Sequence, residues 1–302
     1  MASNYKITDP FQIGLLPDET PSSIDLDDYL ITESEILDQW VGNNLFGFGS
    51  NGLGQLGFGD RTHRSSPVQV GALTNWKEIS CGDRHTAAIK TDGTLWTWGY
   101  GAQGQLGSGA TANRSSPVQV GALTNWYKIS TGNYQTAALK TDGTLWVCGD
   151  NGSGTLGQGN TTAYSSPVQV GTLTNWKQVS AGAATLAAIK TDGTLWAWGY
   201  NYYGQLGLGD RTNRSSPAQV GTLTTWKQVS TGTPGFTIAI KTDGTLWTWG
   251  RNNLGQLGLG NRNDYSSPVQ VGSLTNWKLV SCGSYSSAAI KTDGTLWTWG
   301  NN

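Results

Sequence analysis

One module of about 50 residues is written five times along this 302-residue chain. Its signature, T-D-G-T-L-W, begins at Thr91, Thr141, Thr191, Thr242 and Thr292, at intervals of 50, 50, 51 and 50 residues. A fixed period of this size implies a solenoid, a propeller or an array, because one short module cannot bury its apolar face alone and must stack on its neighbours. It also constrains function. Residues committed to repetition leave few unique positions for an active site, so no enzymatic turnover is expected.

Each module reads as four short strands. In the first full copy these are residues 77–80 after Trp76, residues 86–90, residues 95–98, and an outer strand of the type seen at 67–70. The Asp92-Gly93 step between the second and third strands is a hairpin signal that calls for positive φ at both central residues. Alternation along 95–98 places Trp96 and Trp98 on one face. A proline at the start of each outer strand (Pro67, Pro117, Pro167, Pro217, Pro268) suits an edge that need not donate every hydrogen bond. Strands this short are stabilised by four-stranded sheets arranged around an axis. We therefore expect an all-β β-propeller of antiparallel blades over 44–302, with the repeated tryptophans as wedges between blades.

The count of strands bears on closure. The third strand occurs six times, since Leu45-Phe46-Gly47-Phe48-Gly49 is a degraded copy, and the others occur five times. Five blades are expected. The outer strand near Pro67 should complete the last blade and clasp the two ends together. Six blades would require residues 5–8 and 11–16 to supply two further strands.

Charge divides the chain. Residues 1–40 carry nine acids and one base, a net charge of −8, whereas residues 41–302 carry 18 bases and 11 acids, a net charge of +7. Residues 1–43 match no module and contain Pro10, Pro17 and Pro21. They read as an acidic extended arm that docks onto its own body or onto a partner, with Tyr5, Phe11, Asp25, Asp27, Asp28 and Trp40 as candidate anchors. No apolar stretch is long enough for a membrane-spanning helix, so no membrane insertion is expected, and no cleavable leader is read at the start. The three cysteines do not form a disulfide framework. They read as small buried thiols, with a redox clasp between Cys81 and Cys282 as the alternative.

The run Trp98-Gly99, Gly104-Gln105-Leu106-Gly107, Pro117, Ile129-Ser130-x-Gly132 and Thr136-Ala137-Ala138-Leu139 resembles the regulator of chromosome condensation repeat. The resemblance recurs five times over about 44–302. It implies a β-propeller, usually of seven blades in that family, whose known roles include guanine-nucleotide exchange on chromatin and ultraviolet-B perception in plants. The regularity of the copies also looks like repeat proteins of bacteria and their viruses. The chain departs from the family pattern: Gly-x-x-His-Thr survives only as Gly82-Asp83-Arg84-His85-Thr86. Asp83 stands where the photoreceptor type has tryptophan. An acidic loop or inserted wedge of the exchange-factor type is not seen.

Chemistry-bearing patterns are sparse. Neither His63 nor His85 has a metal-ligand partner at a recognisable spacing, so no metal or cofactor is expected. Two matches to G-x-G-x-x-G, starting at Gly47 and Gly52, lack the following helix that a dinucleotide site needs. The lysine ending each second strand (Lys90, Lys140, Lys190, Lys241, Lys291) reads as a solvated charge blunting a sheet edge, with a basic ring for nucleic acid as the weaker alternative. No nucleic-acid partner is expected. Positions that differ between copies remain: the loop after the first strand (Asp83, Arg84, His85, Tyr134, Tyr285) and the loop after the third (Tyr100, Tyr200, Tyr202, Tyr203, Arg251). Tyrosines among Asn, Gly and Ser suit adaptable recognition of proteins or sugars. The expectation is a structural or attachment protein: a virion component held in an assembly through residues 1–43, its loops meeting a host surface protein or glycan. Alternatives are a lectin-like propeller and an exchange-factor-like regulator.

Overall fold

The computed structural model describes residues 15–16 and 43–301. The described residues form 22 strands and no helix. The first sheet contains β1 (Leu15–Leu16), β2 (Asn44–Gly49) and β3 (Arg64–Gln69). Four complete blades follow: β4 (Trp76–Cys81), β5 (His85–Lys90), β6 (Leu95–Gly99) and β7 (Arg114–Gln119); β8 (Trp126–Thr131), β9 (Gln135–Lys140), β10 (Leu145–Gly149) and β11 (Tyr164–Gln169); β12 (Trp176–Ala181), β13 (Thr185–Lys190), β14 (Leu195–Gly199) and β15 (Arg214–Gln219); β16 (Trp226–Gly232), β17 (Phe236–Lys241), β18 (Leu246–Gly250) and β19 (Tyr265–Gln270). The fifth blade is β20 (Trp277–Cys282), β21 (Ser286–Lys291) and β22 (Leu296–Gly300). All pairings within blades are antiparallel, so the chain is a five-bladed β-propeller.

The core lies between blades rather than within them. Ile89, Leu95 and Val120 of one blade close over Trp126 and Ile129 of the next. Ile189, Leu195 and Val220 meet Trp226 and Val229 in the same way. The first strands touch around the axis through a repeated polar staple. Ser80 Oγ accepts from Thr131 N at 3.0 Å, Ser130 Oγ from Ala181 N at 2.9 Å, Ser180 Oγ from Thr231 N at 3.0 Å and Ser230 Oγ from Cys282 N at 3.0 Å. That contact is what the serine in W-K-x-(I/V)-S-x-G does. The glycine two residues on permits the approach: a Cβ on Gly132 would lie 2.1 Å from the Gly182 carbonyl oxygen.

The expected clasp does not form. β3 pairs with β2 (Phe46↔Gln69, Gly47↔Val68), and Val70 N donates to Leu45 O at 2.7 Å. A partner reached through one short loop closes at far lower entropic cost than one at the opposite end of the array. Among the described residues β22 consequently has no outer strand. Leu296 is 65% exposed, against 2% or less for Leu95, Leu145, Leu195 and Leu246. The redox clasp is likewise absent, since no disulfide joins Cys81 to Cys282. Of the two extra strands that six blades would require, the described residues contain only β1, set opposite Leu45 and Asn44 of β2.

Two local readings change. The outer strands start three residues earlier than expected, so Pro67 is the fourth residue of β3 rather than its first. At the T-D-G-T turns only the glycine has positive φ, 76° at Gly93 and 77° at Gly193. Gly193 N donates to Lys190 O and Lys190 N to Thr194 O, both at 3.0 Å, which is a type I turn followed by a glycine bulge. The aspartate works through its side chain instead.

Candidate interaction face

Antiparallel topology gives the propeller two unlike ends. Turns leaving the second and fourth strands emerge at one, as Thr91 N bonding to Asn75 O at 2.9 Å shows. Loops leaving the first and third strands emerge at the other, where Tyr100 N bonds to Arg84 O at 2.9 Å.

The turn end is structural. Asp192 Oδ1 accepts from Thr194 N at 2.9 Å and from Thr194 Oγ1 at 2.7 Å, and Thr194 Oγ1 accepts from Trp196 Nε1 at 2.9 Å. Those threonine bonds hold the Asp192 carboxyl below its ordinary range. Lys190 Nζ sits 3.7 Å from the Trp196 ring centroid and 5.0 Å from that of Trp176. All five modules repeat this arrangement. Both sequence readings of these lysines therefore give way: they are 6–8% exposed and clamped between two indoles, neither solvated edge charges nor a ring open to nucleic acid. Desolvation lowers the affinity of Lys90, Lys140, Lys190 and Lys241 for their protons, opposed by the neighbouring aspartates. The electron-rich ring faces replace part of the lost hydration.

The loop end gathers the positions at which copies differ. In every blade the first residue after the third strand donates its N–H to the last residue of the loop after the first strand. The pairs are Tyr100 to Arg84, Asp150 to Tyr134, Tyr200 to Ala184, Arg251 to Gly235 and Asn301 to Tyr285, at 2.8–2.9 Å. Neighbouring pairs also meet across blades. The Tyr100 and Tyr134 rings lie 6.0 Å apart, edge to face. Tyr202 stacks on Tyr200 at 6.3 Å and meets Tyr203 edge-on at 5.0 Å. Arg251 Cζ lies 4.7 Å from the Tyr203 ring and 5.7 Å from that of Tyr285. The result is a broken circle of tyrosines with a guanidinium set into it. All eight arginines of the chain lie in these loops or at the first residue of an outer strand. Arg64, Arg84 and Arg214 pair with Asp60, Asp83 and Asp210. Arg251 faces tyrosines and has no carboxylate at bridging distance among the described residues.

Nine of the ten loop residues singled out from sequence stand on this end, and Tyr202 is the most exposed of its tyrosines. His85 does not belong with them. It is 1% exposed, its Nε2 lies 2.9 Å from Thr136 Oγ1, and burial pulls its pKa down to about 3. The loop turns it inward, to the place Gln135 and Phe236 occupy in other modules. Tyr5, Phe11, Asp25, Asp27, Asp28 and Trp40 lie outside the described residues. Sequence reasoning missed the acceptor role of His63, Asn113, Asn213 and Asp264. Each takes a bond from the backbone N–H twelve residues earlier, at 2.8–3.0 Å. Alignment of the modules finds the signal, since all four side chains carry an acceptor at one repeat position.

The sequence model of the regulator of chromosome condensation (RCC1) repeat matches residues 43–89, 92–139, 142–189, 192–240 and 243–290. Among curated proteins, human "probable E3 ubiquitin-protein ligase HERC3" is 44% identical over 55 residues, which is 18% of this chain and 5% of that protein. The ultraviolet-B receptor UVR8 of Arabidopsis thaliana is 49% identical over 49 residues, 16% of this chain and 11% of the receptor. The matches thus span a small part of those relatives. Among solved structures, yeast RCC1 (Prp20) bound to Kap60 has a TM-score of 0.75 at 20% identity, covering 85% of this chain and 64% of that one. Human WBSCR16 has a TM-score of 0.72 at 22% identity, covering 82% and 67%. These relatives are eukaryotic and lend no support to the bacterial-virus type expected from the regularity of the copies. With five matches that span most of its length and a blade structure of the same kind, the chain belongs to the regulator of chromosome condensation repeat family.

Proposed function

We propose that this chain is a protein-interaction propeller whose recognition surface is the loop end. One observation carries the reading: modules otherwise nearly identical differ where Tyr203, Arg251 and Tyr285 are brought together, and among the described residues the half-buried Arg251 guanidinium there has no carboxylate at bridging distance. Tyrosine and arginine supply large contact area and directional bonding, and they dominate the energetics of protein interfaces. The family relation supports the reading. Structural relatives include Prp20 bound to Kap60 and a Prp20p structure reported with its binding to Gsp1p and histones. The virion, lectin and exchange-factor readings rest on no observation of this structure. The test is quantitative affinity capture with the wild type, the double variant Tyr203→Ala/Arg251→Ala, and a turn-end control, Leu223→Ala. The expected outcome is an interactor whose recovery falls about tenfold or more with the double variant and not with the control, as for loss of a hot spot of about 1.4 kcal/mol or more. Equal recovery on all three sinks the proposal.

A further inference from the structure

In every complete blade the third strand is covered on its outer side by a strand of one sequence type. Residues 114–120 and 214–220 read Arg-Ser-Ser-Pro-(Val/Ala)-Gln-Val, and residues 164–170 and 265–271 read Tyr-Ser-Ser-Pro-Val-Gln-Val. One register recurs: Thr97 opposite Val118, Val147 opposite Val168, Ala197 opposite Ala218 and Thr248 opposite Val269, each beside a Trp–Gln pair. One closing bond recurs too. Val120, Val170, Val220 and Val271 N donate at 2.8 Å to the carbonyls of Leu95, Leu145, Leu195 and Leu246. Blade five differs. Among the described residues no strand lies on the outer side of β22, and Leu296 O takes no such bond.

Trp297 shows what the outer strand does for a blade. Its ring keeps the position of its counterparts, 6.1 Å from Trp277 and 3.9 Å from Lys291 Nζ. Blade four packs behind it, with Ile240 and Leu246 against Trp277. Yet Trp297 is 49% exposed, whereas Trp96, Trp146, Trp196 and Trp247 are half-buried. Trp196 lines a groove with Ser216 and Pro217 of its own outer strand, and that wall is what Trp297 lacks. β22 also has none of the devices that blunt a bare edge, since its sequence, Leu-Trp-Thr-Trp-Gly, holds no proline and no charge. In an antiparallel strand the N–H and C=O of one residue point to the same side, and the side alternates along the strand. The bond to Leu95 O therefore sets Leu95 and Thr97 toward the outer strand, and sets Leu296 and Thr298 toward the uncovered side.

We propose that β22 is a strand-addition site, which takes an extended (Arg/Tyr)-Ser-Ser-Pro-Val-Gln-Val segment of a partner protein, antiparallel, and so completes blade five. Main-chain bonds supply the attraction, and alternate side chains supply the selectivity. The occupant is read from the protein itself, because the same edge in four blades is covered by this one sequence type. Ser-Ser-Pro occurs five times in the chain, at 65–67, 115–117, 165–167, 215–217 and 266–268, and all five belong to strands already paired. The segment therefore comes from another protein rather than from this chain or a second copy. Its proline leaves one position of the far side without a donor, so addition stops at one strand. This flank site is independent of the loop-end surface.

A synthetic copy of residues 113–121, Asn-Arg-Ser-Ser-Pro-Val-Gln-Val-Gly with blocked ends, tests the proposal on the full chain by hydrogen exchange. The expected result is exchange in β22 slowed about fivefold or more at saturating peptide, with β6, β10, β14 and β18 unchanged. A scrambled peptide of the same composition should give no slowing. No slowing with the copy, or equal slowing by both peptides, overturns the proposal. So does a β22 already protected to the level of β18 before peptide is added, since the chain's own residues or a second copy would then cover the edge; sedimentation separates those two. The variant Thr298→Pro adds a second measurement, with near-UV dichroism verifying the fold. It removes one main-chain donor at an exposed position, so labelled peptide should bind about tenfold or more weakly. Unchanged affinity overturns the proposal.

Discussion

His85 illustrates how one side chain changes role between identical backbones. It fills the space given to Gln135 in the next blade, where Gln135 Nε2 donates to Gly182 O at 2.6 Å. Enclosed there, the imidazole stays neutral, with its pKa lowered to about 3 by desolvation. In the unfolded chain it takes up a proton near pH 6.5, so the unfolded state binds more protons than the folded one between about pH 6.5 and 3. Stability from this residue is complete above pH 6.5 and is lost as the pH falls through that window. The lowered aspartates, Asp92 and its equivalents, add acid sensitivity at lower pH, around and below the ordinary carboxylate range. We predict that His85→Gln flattens the fall in denaturation midpoint between about pH 6.5 and 4.5, leaves the steeper loss below that unchanged, and shifts stability at pH 4.5 by on the order of a few kcal/mol. Urea titrations at a series of pH values read this directly. The burial of His85 was not legible in the sequence, where Gly-Asp-Arg-His-Thr looks like a polar loop. Whether a loop residue points in or out depends on the adjacent blade.

The hairpin element was legible in kind but not in mechanism. Asp-Gly between apolar runs announced the turn correctly. The aspartate backbone, however, does not adopt positive φ; its carboxylate collects the Thr194 N–H and hydroxyl while the glycine alone takes the left-handed conformation. The glycine is needed twice over. Gly193 has φ of 77°, and a Cβ there would lie 2.1 Å from Thr224 O on the strand-to-strand connection beside it. Backbone cannot yield as a side-chain tip can. Gly193→Ala should therefore cost more than the roughly 1 kcal/mol of a left-handed alanine alone, on the order of 2–4 kcal/mol. A control, Gly171→Ala, has φ of 60° but nothing within 4 Å of the added Cβ, and should show the smaller figure alone. Chemical denaturation of the two variants distinguishes steric from conformational cost. Equal losses would remove the close approach from the account. The Lys–Trp clamp beside the turn was invisible because its tryptophans come from strands twenty residues apart.

At the scale of the molecule, stability is a chain of nearest-neighbour contacts, since each cluster joins only adjacent blades. Trp226, 3% exposed, is the wedge that β16 drives against Ile189 and Leu195. Trp226→Ala should cost about 3–5 kcal/mol at that interface. Hydrogen exchange should speed up in β13, β14 and β16 to β18 while β4 to β6 keep their protection. A uniform loss of protection would mean that the propeller unfolds as one cooperative unit instead.

The repeated signature by itself determined the blade: four strands, their order, the tryptophan wedges and the all-β class. Those features follow from local pattern and from the need of each module to bury one face on a copy of itself. The sequence also showed which positions vary. Only the tertiary structure decided that β3 stays with β2 instead of clasping β22, that the second-strand lysines are clamped between indoles, and that Arg251 meets Tyr203 and Tyr285. The physical reason is common to all three. A repeat fixes contacts within a module and with the next copy, while the ends of the array and the meeting of its variable loops depend on the rotation from blade to blade, which no single module encodes.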